Sequence, residues 1–298
     1  MHRRRNYHTV VDDTSRWDGF VPRSDDVFVC TPAKCGTTWM QSIIASLLWP
    51  DTDPPGPVLA ISPWIEMTLV AAAEMYAMLD AQTHRRFMKT HTPADGIPWF
   101  DDARYVFVVR DGRDAFISLC NHVEHFRAEV RDSLNAEAPP DVAQFPTWDG
   151  DVHAFFARWL DEEHFFPHVA TFWAERQRPN LLLVHYNDLK ADLEGEMRRV
   201  AAFIGADVPE ACWPEVVARC TFERMREGVA RIGAVDMMFE GGLKTFVFKG
   251  TNGRWRDVLT VEELAAYERR VAERLTPECA AWMQHGRRAL ASAPERSG

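Results

Sequence analysis

The chain reads as an α/β protein in which a central parallel sheet is flanked by helices on both faces. Two observations predict this. The candidate strands, Val27–Cys30, Arg86–Lys89, Tyr105–Val109 and Leu181–His185, are continuous apolar runs rather than alternating ones, as expected of strands buried on both faces. Segments of helical period lie between and after them, and such alternation builds a parallel sheet. Ligands of open parallel sheets bind beyond the carboxyl ends of the strands. By sequence, Lys34, Lys89, His91 and Arg110 fall at those ends.

After Val27–Cys30 comes Thr31-Pro-Ala-Lys-Cys-Gly-Thr-Thr-Trp39, then apolar positions Met40, Ile43, Ile44, Leu47 and Leu48, which place a helix over Thr37–Trp49. A strand, a tight turn and a helix N-terminus present backbone N–H groups and a positive dipole end to an anion. Lys34 adds a compact charge, Gly36 lets the backbone approach closely, and Thr37 and Thr38 add hydroxyls. The usual nucleotide P-loop pattern is absent, since no Gly-Lys pair occurs in the chain.

A helix is expected over Glu66–Ala81. The second strand runs into Lys89-Thr90-His91-Thr92-Pro93. The third leads through Arg110 into a helix over Arg113–Phe126, with Ser118 on it. Val152–Trp173 reads as one long helix, Leu189–Ile204 as the next, Glu210–Cys220 as a short one and Val261–Leu275 as the last. Pro50–Pro63, Ala136–Gly150 and Gly228–Asn252 read as irregular, and long loops of this kind often form binding loops. Residues 228–252 are expected to form a lid. No linker or repeat divides the 298 residues, so 1–298 reads as one domain, with residues 1–20 flexible or peripheral.

A net charge of −10 excludes the basic excess of a nucleic-acid binder. It also makes the five lysines (34, 89, 190, 244 and 249) informative, because three of them sit in the segments singled out here. Six cysteines without a Cys-x-x-Cys pair read as reduced thiols of a cytoplasmic protein. Cys35, beside a helix N-terminus, is read chiefly as a small filler, the alternative being a reactive thiol. The first residues lack a secretory h-region, and the longest uncharged run, Cys35–Pro50, is too short for stable membrane insertion. The Arg3-Arg4-Arg5 cluster reads as a solvated terminus. His122 and His125 read as a polar helix face rather than a zinc pair, because no partner ligands stand nearby.

Four segments in order carry a resemblance. Lys34-Cys-Gly-Thr-Thr-Trp39 resembles the 5′-phosphosulfate loop of sulfotransferases that use 3′-phosphoadenosine 5′-phosphosulfate (PAPS), and Lys89-Thr90-His91 resembles their Lys-Thr-His segment. Tyr105–Arg110 with Ser118 resembles their 3′-phosphate site, and Lys249-Gly250-Thr251-Asn252-Gly253-Arg254-Trp255 their carboxy-terminal Lys-Gly-x-x-Gly-x-Trp loop. The resemblance is to the cytosolic type and, in Ser62–Trp64 and Arg86–Pro93, to actinobacterial glycolipid sulfotransferases.

That family implies a P-loop NTPase-like sandwich, His91 as general base, and Lys34 and Lys89 stabilising the transferring group. It implies PAPS as co-substrate without a metal. Donor contacts would come from Lys34, Cys35, Gly36, Thr37, Thr38, Trp39, Arg110, Ser118, Tyr186, Thr221, Phe222, Phe248, Lys249 and Gly250. Trp39 and Phe222 would sandwich the adenine, and Tyr186 would reach its amine. The chain departs from the pattern at Phe248, where the family has arginine, and at Cys220, where it often has threonine. The dimerisation segment is only partial, with Ala265 in place of its closing glutamate, which leaves monomer or homodimer open. Apolar loops with Trp64, Met67, Trp99, Phe100, Phe239 and Phe246 suit a hydrophobic acceptor, whether glycolipid, lipid or phenol. The rivals are a kinase with an atypical phosphate loop, which would need a metal-holding carboxylate at a strand end, and a nucleotide-binding module without chemistry.

Overall fold

A computed structural model describes residues 4–162, 164–229, 237–246 and 249–291. Four strands, β1 (Val27–Cys30), β2 (Phe87–Thr90), β3 (Arg104–Val109) and β4 (Leu181–His185), form one sheet in the order β2-β1-β3-β4. Every pairing is parallel, and Val29 lies opposite Lys89 on one side and Val106 on the other. The sequence expectation of four buried parallel strands holds to within a residue at each end.

Side-chain alternation along the strands divides the core. Phe28, Cys30, Tyr105, Phe107 and Val109 face one cluster, with the helices Gly112–Glu124, Phe165–Ala174 and Val261–Arg274. Val27, Val29, Val106 and Val108 face the other, with Thr37–Leu48 and Leu193–Ile204. Both faces are covered, which explains why the strands lack a polar alternate.

Several expected elements differ. The long helix expected over Val152–Trp173 is two, Val152–Asp161 and Phe165–Ala174. Pro167 has no N–H to give and fits only the first turn of a helix, so the chain restarts just before it. Leu189–Ile204 is interrupted at Asp192, whose extended backbone and side chain cap a fresh helix from Leu193; Gly205, left-handed at φ 69°, ends it. The helix Ala128–Glu137 forms where the sequence suggested no element, and only its last two residues fall in the stretch Ala136–Gly150 expected to be irregular.

Part of the amino-terminal segment, expected to be flexible or peripheral over residues 1–20, packs into the core. Thr14–Gly19 is a 3₁₀ helix with Trp17 buried, and Trp17 and Phe20 pack edge-on against Phe28 of β1. Tyr7 donates to Asp95 at 2.8 Å, and Arg4 pairs with Glu175. Burial of two large aromatics outweighs the polar composition of this stretch. Of the expected lid, 230–236 and 247–248 lie outside the described residues, and Phe248 with them. Residues 237–246 lie along the end of Gly112–Glu124, where the Asn121 side chain donates to the Thr245 carbonyl and the Glu240 N–H to His125.

Candidate active site

The anion loop forms at the carboxyl end of β1. Gly36 takes φ 101° and leads into the helix Thr37–Leu48, whose first turn no side chain caps. A Cβ at Gly36 would lie 3.0 Å from the Tyr186 ring, so the position suits glycine on two counts. The open first turn offers its N–H groups and dipole to an anion. Lys34 also has a left-handed backbone, at φ 66°. Cys35 is fully buried, and burial pushes its thiol up to about 12. It is a filler, and the alternative of a reactive thiol at a helix N-terminus is not realised.

His91 follows β2. Its Nδ1 lies 2.9 Å from the Thr31 carbonyl oxygen and 3.3 Å from Thr31 Oγ1, which in turn is 2.6 Å from Thr37 Oγ1. A carbonyl only accepts, so Nδ1 carries the hydrogen and Nε2 is left with a lone pair. Burial, reinforced by the charge of Lys89, holds the imidazole down at about 3, neutral through the physiological range. Trp64 stands edge-on to it with ring centroids 5.0 Å apart.

Two half-buried ammonium groups flank this imidazole. Lys89 Nζ lies 5.0 Å from the Trp64 ring centre, and Lys34 Nζ 5.1 Å from that of Phe246. Burial brings both to about 8; Lys34 is lowered further by Lys89 and Arg110, whereas the nearby Glu66 carboxyl pulls Lys89 the other way. A buried Lys34 with Lys89 and Arg110 near enough to depress it makes a site for a polyanion, which relieves the repulsion.

Arg110, at the end of β3, is buried. It donates through Nη2 to the Thr251 carbonyl at 2.9 Å and to Asn252 Oδ1 at 2.6 Å, and stacks 4.5 Å from the Tyr186 ring centre. Asp114 accepts from the Gly253 N–H at 2.7 Å. The carboxy-terminal loop is thus fastened to the β3 end from two points. Ser118 lies half-buried on the helix Gly112–Glu124, two turns beyond Arg110.

Tyr186 donates to the Gly250 carbonyl at 3.4 Å and meets Trp39 edge-on at 5.0 Å. The Trp39 indole donates to the Cys220 carbonyl at 2.8 Å, so Trp39 reaches the segment carrying Thr221 and Phe222. A Cβ at Gly250 would strike the Phe222 ring at 2.6 Å. Trp39, Tyr186, Phe222 and Gly250 therefore share one corner. Thr221 spends its hydroxyl hydrogen on Ala218, and Cys220 is buried against Ser46. Lys249 is exposed at the rim, and Lys190 holds the Gly250 carbonyl at 2.7 Å.

Sequence reasoning misses two side chains. Glu66 is fully buried, and its Oε1 accepts from Trp17, Thr90 and Thr92, bracing the turn that bears His91; burial raises its carboxyl to about 7. His122 Nδ1 lies 3.2 Å from Lys34 Nζ. The signal for His122 is its register, since Asp114, Ser118 and His122 recur every fourth residue along one stripe of a helix. His125 instead turns back to the Asn121 carbonyl at 2.9 Å, so the two histidines do not form a pair.

The arrangement can accept a proton at one imidazole nitrogen, neutralise charge with two ammonium groups and hold a phosphate-bearing ligand at a helix start and an arginine. A family model, the Sulfotransferase domain, matches residues 24–277. A glycolipid sulfotransferase of Mycobacterium bovis is 30% identical, aligned over 95% of this chain and 94% of that protein. Human sulfotransferase 1C2 is 27% identical over 85% and 84%. Among solved structures, mouse sulfotransferase SULT7A1 complexed with PAP superposes with a TM-score of 0.70 at 18% identity, over 94% of this chain and 93% of that one. Retinol dehydratase in a complex with retinol and PAP gives 0.69 at 20% identity, over 89% and 87%. Those two similarities speak for the fold. The matched span takes in the Lys34 loop, the His91 turn, Arg110 and the loop from Lys249, and the chain belongs to the sulfotransferase family.

Proposed function

We propose that this protein moves a sulfuryl group from PAPS to a hydroxyl of a hydrophobic acceptor, a glycolipid being favoured over a simple lipid or phenol. The reading rests on one observation above all: a neutral imidazole with its Nε2 lone pair open, set between two ammonium groups beside an uncapped helix start. The M. bovis relative is named for action on glycolipid, and two solved relatives are bound to PAP, the desulfated product. The residues present fit a polyanionic nucleotide. The Gly36 cradle and the open first turn suit its 5′ end, Arg110 and Ser118 its 3′-phosphate, and the Trp39–Tyr186–Phe222 corner its base.

PAPS supplies an activated sulfuryl group. His91 Nε2 takes the hydroxyl proton as the acceptor oxygen bonds to sulfur. Lys89 neutralises the sulfuryl oxygens, and Lys34 the oxygen that keeps the electron pair when its bond to sulfur breaks. Positioning and charge neutralisation carry most of the rate, as in phosphoryl transfer, and these side chains supply both without a metal. Its net charge favours neither nucleic acid nor anionic surfaces as partners, and no described helix is long and apolar enough to cross a membrane.

The test is thermal. PAP at a hundred times its dissociation constant adds about 2.7 kcal/mol of stability, so it is expected to raise the melting temperature without metal, and Arg110→Ala to weaken it by about 10–100-fold. That is the cost of a charged hydrogen-bonded contact. Stabilisation by ATP–Mg²⁺ and not by PAP would overturn the reading. A PAP shift unchanged in Arg110→Ala would leave that arginine only the Thr251–Asn252 loop to hold.

The pH profile follows from the signs. His91 is base-competent above about 3, so it adds no acid limb near neutrality. Lys34 and Lys89 must be charged to act, and both lose their protons near 8 in the free enzyme. Accordingly kcat/KM is expected to be flat from about pH 5 to 7 and to fall above about 8. The kcat limb lies higher, because a bound anion raises both lysines. Initial rates across pH would show it, and an acid limb at about 6.5 would give His91 an ordinary, solvated pKa.

A further inference from the structure

His122 is a second imidazole at the reaction centre to which the family chemistry assigns no task. It projects from the same helix stripe as Asp114 and Ser118, and its ring lies 4.7 Å from Phe239, 6.0 Å from Phe246 and 6.2 Å from Phe126, centroid to centroid. Phe239 and Phe246 come from the segment over the site, so His122 is part of an aromatic wall. Lys34 is its one hydrogen-bonding partner among the described residues. An ammonium group only donates, so Nδ1 accepts and the ring hydrogen is on Nε2. Burial and the charges of Lys34 and Lys89 keep the ring neutral. A polar N–H therefore stands at a half-buried aromatic wall with no protein acceptor among the described residues, open to an oxygen that a ligand brings.

Resting on the sulfotransferase reading, we propose that His122 is a specificity-determining residue whose Nε2–H donates to an acceptor oxygen beside the reacting hydroxyl, selecting neutral, polyhydroxylated headgroups such as sugars over single alcohols. The geometry supports this. Lys34, which bonds His122, also flanks the site of transfer, and His91 lies close enough for its charge state to act on the His122 ring. In this proposal an oxygen beside the reacting hydroxyl is the one that meets this N–H. An aromatic wall with one fixed donor accepts a ring whose faces are apolar and whose edge carries hydroxyls, the amphipathic shape of a hexose.

The experiment compares octyl β-glucoside with 1-octanol as acceptors, for the intact protein and for His122→Phe and His122→Gln. Any effect through Lys34 is common to both acceptors and cancels in the ratio of their kcat/KM values. The expected result is a ratio favouring the glucoside in wild type, about tenfold lower in His122→Phe, and partly restored in His122→Gln, which keeps a donor. The PAP-induced melting shift, measured in parallel, is expected to persist in both variants. An unchanged ratio in His122→Phe, or a wild type that sulfates octanol and not the glucoside, would overturn the proposal while leaving the PAPS reading intact. A wild type that PAP does not stabilise would overturn both.

Discussion

Replacing His91 with alanine is expected to lower turnover by about 10²–10⁴-fold, the usual loss of a general base, while PAP still stabilises the variant as it does wild type. The separation follows from what the ring holds. Its Nδ1–H is spent on Thr31 and its face on Trp64. Thr31 keeps its own hydroxyl contact with Thr37, so the start of the helix Thr37–Leu48 is not released. Arg110 is fixed independently by Thr251 and Asn252. Steady-state rates together with melting curves in PAP check both halves. A variant keeping most of its activity across pH 6–9 would pass the proton to another group.

Arg86→Ala is expected to cost about 3–5 kcal/mol of folding stability, the usual consequence of leaving one member of a buried ion pair alone. Arg86 and Asp26 are 1% and 0% exposed, joined by two parallel hydrogen bonds of 2.8 and 2.7 Å. Asp26 immediately precedes β1 and Arg86 precedes β2, so the pair clamps the two strands that carry Lys34 and His91 at their far ends. The loss is a large part of a domain's usual 5–15 kcal/mol. Urea unfolding of Arg86→Ala, Asp26→Ala and Arg86→Met/Asp26→Leu would show it. The double variant is expected to recover most of the loss, since an apolar pair of similar volume carries no stranded charge. Singles costing under about 1 kcal/mol would mean that water reaches the carboxylate.

The sheet is legible in the sequence because burial on both faces leaves each strand a continuous apolar run, and the anion loop because its parts are contiguous between Thr31 and Trp39. Elements without a core-facing stripe are not. Ala128–Glu137 has no buried residue, hence no period to read. The carboxy-terminal helix Pro277–Ala291 is broken inside by Gly286 at φ 84°, which leaves only a short buried face of Cys279, Trp282 and Met283. Glu66 escapes notice because its partners lie far along the chain and meet it only on folding. His122 is visible as a helix position, but its meaning depends on Lys34, brought to it from another strand end. The resemblance of the four segments extends to their placement, since the Lys34 loop, His91 and Arg110 gather at the carboxyl edge of β1, β2 and β3. Phe248, where the motif lacks its arginine, lies outside the described residues.

The Glu66 carboxylate ties together parts of the chain that a domain boundary would separate. The family span opens at residue 24, yet Trp17 is one of the three donors gathered on Glu66 Oε1, and the other two, Thr90 and Thr92, bracket His91. A chain trimmed to that span would keep every motif residue and still lose an anchor of the turn that aims the base, along with the indole that packs edge-on against Phe28. The working unit of this protein therefore begins upstream of its recognisable domain.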